Sequence, residues 1–287
     1  MTATFAVPGA YCEGHFPGRP ILPAVALLAL VVEQLSRESR RPLPLRTIPF
    51  LRLRQLVAPG DRLTLAARRR DDECVNIEVR RDGAVVANGA LGLGPPEAPA
   101  GTLAHRTAGV GQGVPIESLL PQQPPMRFVT SIIEEMPEGL VCEARIPAAC
   151  ALVVGGSAPA FAAVEAAAQA AALWEAVRRS RESQGAGPRV GYLVALRDLA
   201  FFAERIPAEA SLVASVRLDG AALPLTHYAI EVDRDGVPVL RGKIATYLAD
   251  EQSEPVHRSG APARAAIFAR GPRARRDGGR PRRAGTP

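Results

Sequence analysis

Two side chains in this chain of 287 residues combine the chemistry and the setting for moving protons, and they lie far apart in sequence. His15 stands in the run Gly14-His15-Phe16-Pro17-Gly18-Arg19-Pro20-Ile21-Leu22-Pro23. Its two glycines and three prolines exclude both helix and strand, so the run reads as a loop of fixed shape. An imidazole titrates near neutral pH, and its free form can take a proton from a weak carbon acid. Glu165 is the only charged residue between Ile146 and Trp174, within an Ala-rich segment. Burial among apolar neighbours favours the uncharged carboxyl group, which can give a proton away. Gln169, one helical turn further on, falls on the same side and is placed to orient that carboxyl. The chain therefore offers a base on a rigid loop and an acid on an apolar helix.

The elements that must position these groups follow from the pattern around them. Leu22 to Val32 carries no charge, and with Pro23 at the first helical position it reads as a buried helix rather than an amphipathic surface one. Thr2 to Val7 precedes the loop as a short strand, and Arg37 to Pro44 follows the helix as a charged, proline-bounded break. Thr47 to Leu53 and Arg62 to Arg68 read as strands, and Val75 to Arg80 with Ala84 to Gly92 as a hairpin turning at Asp82-Gly83. One helix followed by antiparallel strands is an α+β plan. Gly94 to Val114, with Pro95, Pro96, Pro99 and five glycines, has no apolar period and reads as a linker.

At Ile116 the plan starts again, a weak internal repeat of roughly 120 residues. Phe128 to Glu134 and Gly139 to Ile146 read as strands, the segment from Pro159 as the second helix. Arg189 to Leu196, Leu212 to Leu218, Thr226 to Asp233 and Val239 to Leu248 read as the antiparallel strands after it. The expected organisation is a first domain over residues 1–97, a linker over 98–114, a second domain over 115–250 and an Arg-rich tail over 251–287.

The loop and helix of the first half resemble the signature of the hotdog-fold 3-hydroxyacyl-thioester dehydratases. There, a His-Phe-Pro-Gly loop runs into a helix opened by Pro-Gly, and a carboxylate follows fourteen residues after the His. Here Ala29 occupies the carboxylate position and Ala24 that of the Gly. In the second half, Ser118-Leu119-Leu120-Pro121-Gln122-Gln123-Pro124-Pro125-Met126 resembles the family's Leu-Pro-His-Arg-x-Pro-Met opening. Pro159 to Gln169 matches its Pro-Gly-x-x-x-x-Glu-x-x-x-Gln, with Ala160 in place of the Gly and Ala151 where the His would fall. The halves resemble, in turn, the short His-bearing dehydratases of aryl-polyene-type pathways and their His-less partner subunits. The resemblance implies a double hotdog fold, two antiparallel sheets each wrapped around a central apolar helix. It also implies a single composite site at the interface of an intramolecular pseudo-dimer, in which His15 takes the α-proton and Glu165 protonates the departing hydroxyl. The position pairing Ala29 with Ala151 would be dead. A backbone N–H at a helix start, Ala24 or Ala160, would meet the charge developing on the thioester oxygen, and Phe16 and Gly18 would complete the substrate contacts. The implied substrate is a 3-hydroxyacyl group on acyl carrier protein or CoA, in fatty-acid-like or polyene biosynthesis, with no cofactor. A thioesterase and a non-catalytic scaffold are the competing readings on the same fold.

Composition narrows the remaining classes. The length suits two domains with cores of ordinary size. Cys12, Cys74, Cys142 and Cys150 show no spacing suited to a metal site or a disulfide framework, which fits a reducing cytosol. No secretory leader opens the chain and no uninterrupted apolar run reaches membrane-spanning length, so a soluble cytoplasmic protein is expected. The net charge of +6 resides wholly in the tail from Glu251, where nine Arg face three acids. Such a tail is expected to be a disordered, solvated extension, and nucleic acid is not the expected partner. His105 in the linker and His227 in a strand-like run are expected to have no catalytic role. Further homo-oligomerisation is left open.

Overall fold

The computed structural model describes residues 1–71, 73–99, 116–182, 191–222 and 224–248. The linker expectation falls largely, and the tail and His105 entirely, outside the described residues. The first half runs β1 (Thr2–Ala6), the His15 loop, α1 (Ala24–Ser39), β2 (Leu45–Leu53), β3 (Arg62–Arg69), β4 (Cys74–Arg81) and β5 (Ala84–Leu93). The second runs α2 (Ile116–Leu119), β6 (Val129–Met136), β7 (Gly139–Ala144), β8 (Ser157–Pro159), α3 (Ala163–Glu182), β9 (Gly191–Phe201), β10 (Arg205–Pro207), β11 (Leu212–Ala222), β12 (Leu225–Arg234) and β13 (Val237–Leu248).

Helix α1 starts where the sequence places it, although Pro23 is its N-cap rather than its first helical residue. With φ of −61° fixed by its ring, Pro23 offers its carbonyl to the N–H groups of Ala26 and Leu27, both at 3.0 Å. The helix continues through Ser39, into the stretch expected to break it. Arg37 is held there by Glu33 one turn earlier, at 2.5 Å, and the Ser39 hydroxyl donates to the Leu35 carbonyl. The chain leaves the helix at Arg40, in the left-handed region at φ 53°.

All the long strands belong to one antiparallel sheet, in the order β1-β3-β4-β5-β2-β9-β13-β12-β11-β7-β6. The two wrapped sheets expected of a double hotdog are thus joined edge to edge by β2 and β9. Thr47, Ile48, Phe50, Leu51 and Arg52 pair with Ala200, Leu199, Arg197, Leu196 and Ala195. Each strand would otherwise present a row of unpaired backbone groups, so the seam removes one open edge from each half. Pro49 has no N–H to give, and the β2–β5 register shifts between Thr47 and Phe50 around it. The part of β9 that makes the seam extends past Leu196 to Ala200, beyond the stretch read as strand from sequence. A small ribbon of β8 and β10, pairing Ser157 with Pro207, stands apart and was not anticipated.

Both helices pack into a single core, where Val25, Leu28 and Val31 of α1 and Val164, Ala167 and Leu173 of α3 meet Ile48, Leu51, Leu65, Leu196, Val216 and Ile230 from the sheet. The segment Ala160–Ser180 is long and apolar enough to cross a membrane by length and composition, although Glu165 and Gln169 interrupt it, and 72% of its apolar window is buried inside the protein. Its alanines let the sheet close tightly over the helix, as a core helix requires.

Candidate active site

Two tight turns shape the loop that carries His15. The His15 N–H bonds the Cys12 carbonyl across Glu13-Gly14, and the Arg19 N–H bonds the Phe16 carbonyl across Pro17-Gly18. Each turn has a glycine at its third position, with φ of 75° at Gly14 and 82° at Gly18, which is the type II requirement. Between the turns Phe16 itself sits at φ 61°, a costly conformation for a bulky residue. Its ring lies 4.4 Å from the His15 imidazole and meets Tyr192 edge-on at 5.9 Å. Contacts from both halves therefore hold this strained residue in place.

The imidazole is 8% exposed, and its Nδ1 lies 2.9 Å from the Ile21 carbonyl. A carbonyl only accepts, so Nδ1 carries the hydrogen and Nε2 of the neutral ring is left free as a base. The loop is also tied to the second half, because the Gln123 N–H donates to the Gly14 carbonyl at 2.8 Å.

Glu165 lies in the first turn of α3 and is 4% exposed. Gln169, with no exposure, fixes its orientation. Gln169 Oε1 accepts the N–H groups of Phe128 and Val129 at 2.8 and 3.2 Å, which forces its Nε2 toward acceptors. Nε2 donates to the Met126 carbonyl at 2.6 Å and to Glu165 Oε1 at 2.9 Å. The amide thus reaches its full bonding capacity, and Glu165 Oε1 is occupied as an acceptor. The other carboxyl oxygen is left free by Gln169.

His15 and Glu165 line one cavity of ≈ 80 Å³, together with Phe16 and Ala24 from the first half and Gln122 and Tyr192 from the second. An imidazole and a carboxyl group from opposite halves thus share one small, largely apolar space. Ala24 opens α1, ahead of the first N–H groups with a helical acceptor, those of Ala26 and Leu27, which share the Pro23 carbonyl. Ala160 does not share this role, because its N–H is spent on the Glu204 carbonyl at 2.9 Å and it does not line the cavity. Gly18 is likewise outside the lining, and its place in the motif is explained by the turn it makes. Ala29 and Ala151 bring no titratable group to the pseudo-symmetric position. His227 pairs with Ala245 within the sheet, away from the cavity. Gln122 and Tyr192 are among the lining residues the sequence did not single out; for Gln122 the signal was a Gln standing where the resembling motif has a His.

The fold and the composite cavity define a double hotdog dehydratase. Residues 114–257 match the profile of the ApeP-like family, described as ApeP dehydratase, and residues 2–90 that of the ApeI-like family, described as ApeI dehydratase. The chain belongs to the ApeP-like dehydratase family, with an ApeI-like half joined ahead of it. Similar solved structures share the architecture over most of its length. The bifunctional dehydratase-cyclase domain in ambruticin biosynthesis is 21% identical, at a TM-score of 0.57 over 86% of this chain and 90% of that one. The dehydratase domain of RzxB from Pseudomonas fluorescens is 14% identical, at 0.63 over 85% and 93%. A monomeric dehydratase domain from a trans AT polyketide synthase split module is 14% identical, at 0.64 over 87% and 99%.

Proposed function

We propose that this dehydratase converts 3-hydroxyacyl thioesters to trans-2-enoyl thioesters, with His15 as base and Glu165 as acid. The observation that carries the assignment is their convergence on one cavity from opposite halves, each orientated by its own hydrogen bond. His15 Nε2 takes a proton from C2 of the substrate. Electron density moves toward the thioester carbonyl, where the unpaired amides at the start of α1, beginning at Ala24, favour negative charge. The C2–C3 double bond forms as the C3–O bond breaks, and Glu165 gives its proton to the departing oxygen, releasing water. The imidazolium and the carboxylate then exchange one proton through water, restoring the starting state. Acid and base groups positioned in this way contribute about 10²- to 10⁴-fold each.

The acyl group would be carried by acyl carrier protein or CoA, and a cavity of ≈ 80 Å³ has room for the reacting end alone. The related dehydratase domain of PpsC from Mycobacterium tuberculosis was solved with C12:1-CoA, in keeping with a thioester of this kind. Polyene or fatty-acid-like assembly in the cytoplasm is the setting that such a reaction fits. Incubation with a 3-hydroxyacyl thioester, following enoyl absorbance and free thiol together, tests the proposal. Enoyl product without thiol is expected; thiol release would indicate a thioesterase, and the absence of both a scaffold.

A further inference from the structure

We infer that Gln122 is a substrate-positioning residue whose side-chain carbonyl accepts the O–H of the 3-hydroxyl group that leaves, an inference that rests on the dehydratase reading above. Gln122 is 6% exposed and lines the cavity shared by His15 and Glu165. Its Oε1 is fully buried and has no hydrogen-bond partner among the described residues. A buried amide oxygen without a donor is destabilising, and such groups in native proteins call for an explanation. The contrast with Gln169 is informative, since the latter is satisfied by Met126, Phe128, Val129 and Glu165. The substrate's hydroxyl can supply the donor that Gln122 lacks.

A 3-hydroxyacyl thioester offers donors in two places, the 3-hydroxyl and the amide N–H groups of the pantetheine arm. The cavity holds only ≈ 80 Å³ and has the acid and base at its wall, so the group inside it is the reacting end. A hydroxyl has one hydrogen to give and two lone pairs. Donating that hydrogen to Gln122 Oε1 leaves a lone pair for the Glu165 oxygen left free by Gln169. The leaving group is then aligned before the proton moves. When C3–O breaks, the hydroxyl keeps its hydrogen on Gln122 and receives its second from Glu165; Gln122 gains and loses nothing. Its position is set by its neighbour, because Gln123 bonds Gly14 in the loop that carries the base.

The test compares wild-type Gln122 with Gln122→Met, of similar length without the acceptor, in the full chain. Dissociation constants for a 3-hydroxyacyl thioester and for the saturated acyl thioester of equal length are measured in a His15→Ala background, which prevents turnover. With Gln122 present, the hydroxylated ligand should bind roughly tenfold more tightly, because the saturated one leaves Oε1 without a donor. Gln122→Met should erase this preference, lower kcat for dehydration in the otherwise unaltered chain, and leave the melting temperature the same or higher. A preference that survives Gln122→Met, with or without loss of turnover, overturns the inference. Gln122→Leu repeats the comparison should the Met variant fold poorly. Absence of dehydration by the wild-type chain would instead refute the functional reading beneath it.

Discussion

At the scale of single residues, the site depends on side chains whose hydrogen bonds leave one defined atom free. Gln169→Leu should strand the buried N–H groups of Phe128 and Val129 and release Glu165, costing about 2–4 kcal/mol in urea unfolding and lowering kcat at least tenfold. A variant with wild-type stability would show that these donors find other acceptors. The cysteines give an independent check on burial. All four are free; burial pushes the Cys12 thiol up to about 11 and the Cys142 thiol to about 12, with the charge of Asp61 adding to the effect at Cys12. A raised value keeps the unreactive thiol form through neutral pH, and thiolate appears only as pH approaches those values. Alkylation of the native protein at neutral pH should therefore reach partly exposed Cys74 first and Cys142 last, as peptide mass mapping would record; early labelling of Cys142 would contradict the packing. His15, Glu165 and Gln169 were legible in the sequence because their surroundings are unusual, a Gly- and Pro-locked loop and an otherwise uncharged helix. Gln122 was not, because its distinguishing property is the lack of a partner, which only three-dimensional structure reveals.

At the scale of elements, the base loop is shaped by turns and by contact with the other half. A Cβ at Gly14 would lie 2.3 Å from the Gln123 carbonyl oxygen, at a φ of 75° that already disfavours any side chain. Gly14→Ala should displace the loop and reduce kcat sharply while far-UV circular dichroism stays unchanged, and full turnover would mean that the loop tolerates the shift. Periodicity and turn residues located every long strand and both major helices, although the ends moved. The end of α1 moved because the Glu33–Arg37 pair supports an extra turn that charge content alone reads as a break. The ribbon of β8 and β10 is three residues a side, too short for any alternation to register. The oxyanion role open to either helix start was narrowed by the Glu204 carbonyl, a contact between segments about 45 residues apart that no local pattern encodes.

At the scale of the whole molecule, the two halves meet through the β2–β9 seam and a shared cavity. That each half would cover an open edge of the other was legible, but which strands form the seam was not, because strand patterns specify faces, whereas edge-to-edge pairing is settled by which edges remain open after each half folds. Residues 1–97 and 115–250 expressed separately should aggregate or bind each other, since each exposes the edge the other covers; two monomeric, non-interacting halves in size-exclusion chromatography would refute this. Because His15 and Glu165 of one chain line the same cavity, mixing full-length His15→Ala with full-length Glu165→Gln should restore no activity, whereas substantial rescue would indicate sites shared between chains. The most direct test of the composite site measures kcat/KM for wild type, His15→Ala, Glu165→Gln and the double variant on one 3-hydroxyacyl thioester. Groups that act as a unit are strongly non-additive, so each single change should remove most dehydration and the double should be scarcely worse than either. Near wild-type turnover by Glu165→Gln, or losses in the double variant that multiply as independent effects, would contradict a single site built from both halves.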